Sequence, residues 1–203
     1  SNSDYVDAGG KNWGTAVKIG NLYWAPVNCG ATASNLYGGY YTYSSSQTAC
    51  PSGWRLPTSS ELSSLSAHYS SLVSYNGMKG RWFSGASAYS GSVPAVFFPA
   101  AGGSGKNKDV DGEYWSSSEY YDPTWYFKYT YLLKFDNTSI SSDKELQDSK
   151  STYSIRCVKS DSCACGLLAD IEKHPDILPV GVFCLLWYGK IIIFLSFNSS
   201  LIL

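Results

Sequence analysis

The chain has 203 residues, enough for one domain with a real core, or for one domain plus an appendage. Fifteen basic and sixteen acidic residues leave a formal net charge of −1, so no field of one sign exists to draw in nucleic acid or an anionic membrane. Charged residues are only 15% of the chain while Ser, Gly and Tyr are abundant, a balance common in extracellular surface proteins. The one methionine is Met78 and none stands at position 1, as expected of a processed protein or an excised segment from which a signal peptide has been lost.

Taken in chain order, residues 17–28 read as two short strands around Gly20-Asn21, a favourable hairpin turn. Residues 30–48 are rich in Gly, Tyr and Ser, show no sustained period and read as loop. In Cys50-Pro51-Ser52-Gly53-Trp54-Arg55-Leu56-Pro57-Thr58 a turn leads into a short strand with Trp54 and Leu56 on one face. Thr58 and Glu61 then have capping-box spacing, and Leu62, Leu65, Tyr69 and Leu72 follow at helical spacing. The pattern predicts one main amphipathic helix over about 59–73. Arg81-Trp82-Phe83 and Ala95 to Pro99 read as extended pieces, and Ala100 to Gly105 as a flexible turn. Tyr131 to Phe135 alternates as a half-buried strand, 136–152 is polar and reads as exposed, and Ser154 to Val158 reads as a closing strand with Ile155 and Cys157 on one face. Residues 177–203 carry one charge, Lys190. They read as a membrane anchor, as an extra strand pair around Gly189-Lys190, or as an extension without selected structure. Lys190 and Pro179 count against the first, so membrane contact through this tail is the disfavoured reading.

The segment from Tyr114 to Tyr131, YWSSSEYYDPTWYFKYTY, is the most informative. Nine of its eighteen residues are aromatic and most others are Ser, Thr, Asp or Glu. A buried strand would carry Val, Ile and Leu instead. Tyr and Trp offer rigid contact area at low entropic cost, and Ser and Asp add adaptable hydrogen bonds, the composition of a binding surface. Tyr120, Tyr121, Asp122, Trp125, Tyr126, Tyr129 and Tyr131 are therefore the candidate ligand-binding residues. The competing reading packs these rings against their own domain. Strand alternation puts Tyr129 and Tyr131 with Phe127, Leu133 and Phe135 on one face, so a bulge would be needed to turn the two tyrosines outward. Trp115 and Ser116–Ser118 read as structural.

The order CPSGWRLPTSSEL, GEYWSSS and SIRCVK resembles the Fibrobacter succinogenes major paralogous domain over about residues 15–159, and VKIGNLYWAPVNCGA is similar to that family's first strands. The resemblance implies an α+β, C-type-lectin-like fold with short twisted antiparallel strands, long loops and paired first and last strands. Residues 1–159 would form this domain and 160–203 an apolar extension. The resemblance also brings Cys50 near Cys157 as a disulfide pair, with two buried thiols as the alternative. Proteins of this fold are common targets of diversity-generating retroelements, in which adenines of a template are randomised. The stretch between Trp115 and Cys157 lies where that variable region would sit. Asn codons cannot yield Trp125, Lys128, Glu119 or Lys134 by this route, so those residues are fixed or derive from other codons.

No C-x-x-C pair occurs among Cys29, Cys50, Cys157, Cys163, Cys165 and Cys184, and no Gly-x-Ser-x-Gly elbow is present. His68 and His174 lie on the expected helix and in the tail. Asp109-Val110-Asp111-Gly112-Glu113 offers oxygen ligands to Ca²⁺ but reads as a solvated turn. The expectation is a non-enzymatic ligand-binding domain with no metal or cofactor, on a bacterial surface or a phage particle. It would recognise a surface protein or a glycan. The alternatives are a formylglycine-generating-type or glycan-active enzyme and a structural module of a surface assembly.

Overall fold

The computed structural model describes residues 3–85, 93–104 and 106–161, and the backbone of 182–187 and 190–195. The chain divides into two compact units, Ser1–Asp161 and Ser162–Leu203. The described part of the first is mainly antiparallel sheet with two short helices. In order these are β1 (Asp4–Val6), β2 (Asn12–Thr15), β3 (Val17–Ile19), β4 (Leu22–Trp24), α1 (Tyr43–Ser46), α2 (Ser59–Ser63), β5 (Ser66–Ala67), β6 (Val73–Tyr75), β7 (Met78–Ser84), β8 (Val96–Pro99), β9 (Gly112–Asp122), β10 (Phe127–Phe135), β11 (Ile140–Leu146) and β12 (Val158–Ser160).

The Gly20-Asn21 turn forms as expected, pairing Ile19 with Leu22 and Val17 with Trp24. The other edge of β4 takes β12, with Val158 opposite Trp24, so an early strand and the last strand of this unit lie side by side. Asn76-Gly77 closes a second two-residue hairpin, and both residues have positive φ, as that turn requires. β5 and β6 share one edge of β7, and β8 takes the other. The third sheet runs β11-β10-β9.

Two main apolar clusters hold these sheets together. One gathers Trp24, Phe83, Phe98, Tyr114, Leu133 and Phe135 with Leu62 and Leu65. The other gathers Tyr5, Leu56, Trp115, Leu132 and Ile155 around the Cys50–Cys157 disulfide. Each such side chain, fully buried, stabilises the fold by roughly 1.5–3 kcal/mol. The guanidinium of Arg156 is buried too. It donates to the carbonyls of Ala25 (2.8 Å) and Phe97 (2.7 Å), lies over the Phe98 ring, and is pushed down to about 10 by burial.

The disulfide joins cysteines 107 positions apart, the pair that the resemblance implied. Cys29 is a free, buried thiol.

The main helix is far shorter than its periodicity suggests. The capping box is present: Thr58 Oγ1 accepts from the Glu61 amide (3.1 Å) and Glu61 Oε2 from the Thr58 amide (2.8 Å). Yet α2 ends at Ser63, and Ser66 and Ala67 pair with Ser84 and Phe83 instead. Seven serines between 59 and 71 weaken helix propagation, because their hydroxyls compete for nearby backbone groups. Leu62 and Leu65 are buried, whereas Tyr69 is 43% exposed. The polar segment 136–152 is also more regular than expected, since Ile140–Leu146 forms the exposed edge strand β11.

In the second unit, β13 (Val182–Trp187) and β14 (Lys190–Leu195) pair antiparallel, Trp187 opposite Lys190. The remainder of the tail, with Gly189, Cys163, Cys165 and the Cys184 side chain, lies outside the described residues. No helix among the described residues is long and apolar enough to cross a membrane.

Candidate functional site

The aromatic segment becomes β9, a turn over residues 123–126, and β10. Its base is firmly anchored. Trp115 is fully buried, donates from its amide to Ser154 (3.0 Å) and from its indole Nε1 to the Tyr41 carbonyl (2.6 Å). Tyr114 donates to the Pro99 carbonyl (2.7 Å) and accepts from Asn28 Nδ2 (3.0 Å), and burial pushes its phenol up to about 12. A Cβ at Gly112 would come within 2.2 Å of the Phe135 ring, so only glycine lets that ring lie across the start of β9.

The three serines after Trp115 form an irregular step. Thr130 faces Glu119, but Leu132 already faces Trp115, so Ser116–Ser118 together oppose Tyr131 alone. Ser116 Oγ donates to the Tyr131 carbonyl (2.8 Å), the Ser117 amide to the Pro57 carbonyl (2.8 Å), and Ser118 Oγ accepts from the Ser59 amide (2.9 Å). The bulge thus fastens the ribbon to the start of α2. Its small side chains are what permit the close approach.

Beyond the bulge the ribbon becomes an open arm. From Glu119 to Lys128 every residue is exposed except Asp122, which is half-buried. β11 ends with Leu146 opposite Tyr129; the next residue, Gln147, still donates its amide to the Lys128 carbonyl (3.0 Å), and only Phe127 has neighbours on the β9 side alone. Asp122 Oδ1 accepts from the amides of Thr124 (2.9 Å) and Trp125 (3.3 Å), which shapes the turn. Tyr126 closes it at φ +58°, a conformation that side-chain-bearing residues rarely adopt.

The seven expected residues are brought onto one arm but not onto one face. Tyr120 and Tyr129 are direct cross-strand partners, their rings 6.1 Å apart, and Asp122 faces Phe127. Tyr131 lies on the same side of β10, opposite Lys144. Tyr121 points to the reverse face, opposite Lys128. Trp125 (68% exposed) and Tyr126 (78%) occupy the tip. The bulge that would have been needed to turn Tyr129 and Tyr131 outward is absent from β10. Tyr129 and Tyr131 stay on the face of Leu133 and Phe135, and β10 pairs with β11 without a break. They are half-exposed because burial falls along the strand from Phe135, in the core, to Phe127 at the open end.

Two contributors escaped the sequence reading. Phe127, 49% exposed, stands edge-on to Tyr129 at 6.4 Å and extends the ring row. Lys144, from the polar stretch read as exposed, places its ammonium 4.0 Å from the Tyr120 ring and 5.9 Å from that of Tyr131. Strand alternation pointed to Phe127, but nothing local foretold Lys144, because its position follows from cross-strand register.

The carboxylates of the Asp109–Glu113 run diverge. Asp109 accepts from Tyr37 OH (2.5 Å) and the Lys79 amide (2.9 Å), Asp111 from Asn107 (3.0 Å), and Glu113 pairs with Lys134 (3.1 Å). Burial pushes the Asp111 carboxyl up, and the Asn107 amide only partly offsets it. Among the described residues no three His, Cys, Asp or Glu side chains are grouped to hold a metal ion. No family model, curated protein or solved structure matches this chain.

Proposed function

We propose that this protein is a ligand-binding module of C-type-lectin-like type, displayed outside the cell on a bacterial surface or a phage particle. It recognises a surface protein or a glycan through the arm formed by β9, its turn and β10. The observation that carries this reading is the set of exposed rings at Tyr120, Tyr121, Trp125, Tyr126 and Phe127, spread over both faces and the tip of one arm. Large rings left in water forgo burial worth kcal/mol each, and their concentration on one short exposed arm supports an interaction surface. The anchored base supports the same reading, since a binding loop gains affinity when its scaffold holds it rigid. The disulfide supports an oxidising compartment. Diversification by a retroelement is part of the proposal, and a near-copy of the coding region for 114–158 beside a reverse-transcriptase gene would support it.

The direct test replaces Tyr120, Tyr121 and Trp125 together by Ala and measures binding to candidate cells and to a glycan array. All three are at least 36% exposed, so the melting temperature is expected to stay close to that of the parent while binding falls below detection. Retained binding by the folded triple variant excludes the arm as the recognition surface.

A further inference from the structure

Resting on that reading, we infer that the arm's ligand is an anionic polysaccharide, with carboxylated sugar rings spanning the tip and the flanking lysines. The first argument is shape. Small-ligand sites are concave, but here the exposed rings sit on both faces and on the tip of a projecting ribbon. A flexible polymer can follow such a surface, one sugar after another.

The second argument is charge. The carboxylates of the arm already accept from internal donors: exposed Glu119 accepts from Tyr43 OH (2.5 Å) and half-buried Asp122 from the two turn amides. The two ammonium groups beside the rings are exposed. Lys128 is exposed beside Tyr121, and Lys144 stands over Tyr120 and Tyr131 on the opposite face. These four charges cancel in sum, so anions are attracted by contact and not by a long-range field. Lysine is depleted at the centre of protein–protein interfaces, where arginine is enriched, and the exposed rings are flanked by two lysines, Lys128 of β10 and Lys144 of β11, and by no arginine. A compact ammonium beside open ring faces suits a carboxylated pyranose, whose C–H face stacks while its carboxylate pairs.

Polygalacturonate is the probe, with its fully methyl-esterified form, which keeps the rings and loses the charge, and poly-L-glutamate, which keeps the charge and lacks the rings. The full chain is expected to bind polygalacturonate, with binding weakened by salt, and to bind neither control measurably. Lys128→Ala and Lys144→Ala are each expected to weaken binding by roughly fivefold, and Trp125→Ala by roughly tenfold or more. Equal binding to the ester or to poly-L-glutamate overturns the inference, as does no effect of the lysine substitutions. A protein that binds cells through Tyr120, Tyr121 and Trp125 yet ignores polygalacturonate overturns this inference alone. Cell binding indifferent to those three residues overturns the arm as well.

Discussion

Tyr126 closes the turn with its backbone in the left-handed region and its ring 78% exposed. Glycine would hold that conformation without penalty, whereas a Cβ there costs about 1 kcal/mol. The ring gains nothing from its own core in return. Tyr126→Gly is expected to raise stability by about 1 kcal/mol in urea denaturation while weakening ligand binding, and a loss of stability would show that the ring packs internally. Asp136 shows the opposite economy. Hydrogen bonds from the amides of Thr138 and Ser139, and from their hydroxyls, hold its carboxyl down at about 2. A carboxylate depressed in the folded state contributes stability that is present above its ordinary value and lost as pH falls through the folded one. Asp136→Asn should therefore lower stability near neutral pH and flatten its decline between about pH 4 and 2, as read from urea midpoints.

At the level of elements, α2 is short enough that its cap matters more than its length. Thr58→Ala removes one half of the capping box and is expected to cost about 1 kcal/mol, measured by denaturant unfolding. The Arg55 guanidinium pairs with Glu61, and together with the Thr58 amide it outweighs the effect of burial and holds that carboxyl below the usual range. The start of this helix was legible because capping is a matter of three residues. Its end was not, because the serine-rich run after Ser63 is decided by the edge of β7, which a local reading does not see. The same contrast runs through the sheets. Gly20-Asn21 announced its hairpin, since two-residue turns have a local chemistry. β11 was missed, since Ile140–Leu146 buries almost nothing and is ordered by pairing with β10. The candidate arm was legible in composition but not in arrangement. Aromatic content located it, whereas the split of Tyr121 from Tyr120, the step at Ser116–Ser118 and the approach of Lys144 follow from register.

Over the whole first unit, the strongest single constraint is covalent. The Cys50–Cys157 bond closes a loop spanning 107 positions, which in the chain-entropy picture is worth on the order of 4–5 kcal/mol. Replacing both cysteines by Ala should lower unfolding stability by about that much, and a negligible change would show that the paired strands alone hold this closure. The bond stands one residue from Val158, where β12 begins to pair with β4. Asp161 continues the contact, donating from its amide to the Asn21 carbonyl (2.9 Å), while Ala16 donates to Ser3 (2.7 Å). Entry and exit of this body therefore share one side of it. Such a body can be spliced into a surface loop of an unrelated host, or cut open at Asn76-Gly77 and rejoined end to end, without dragging its neighbours apart.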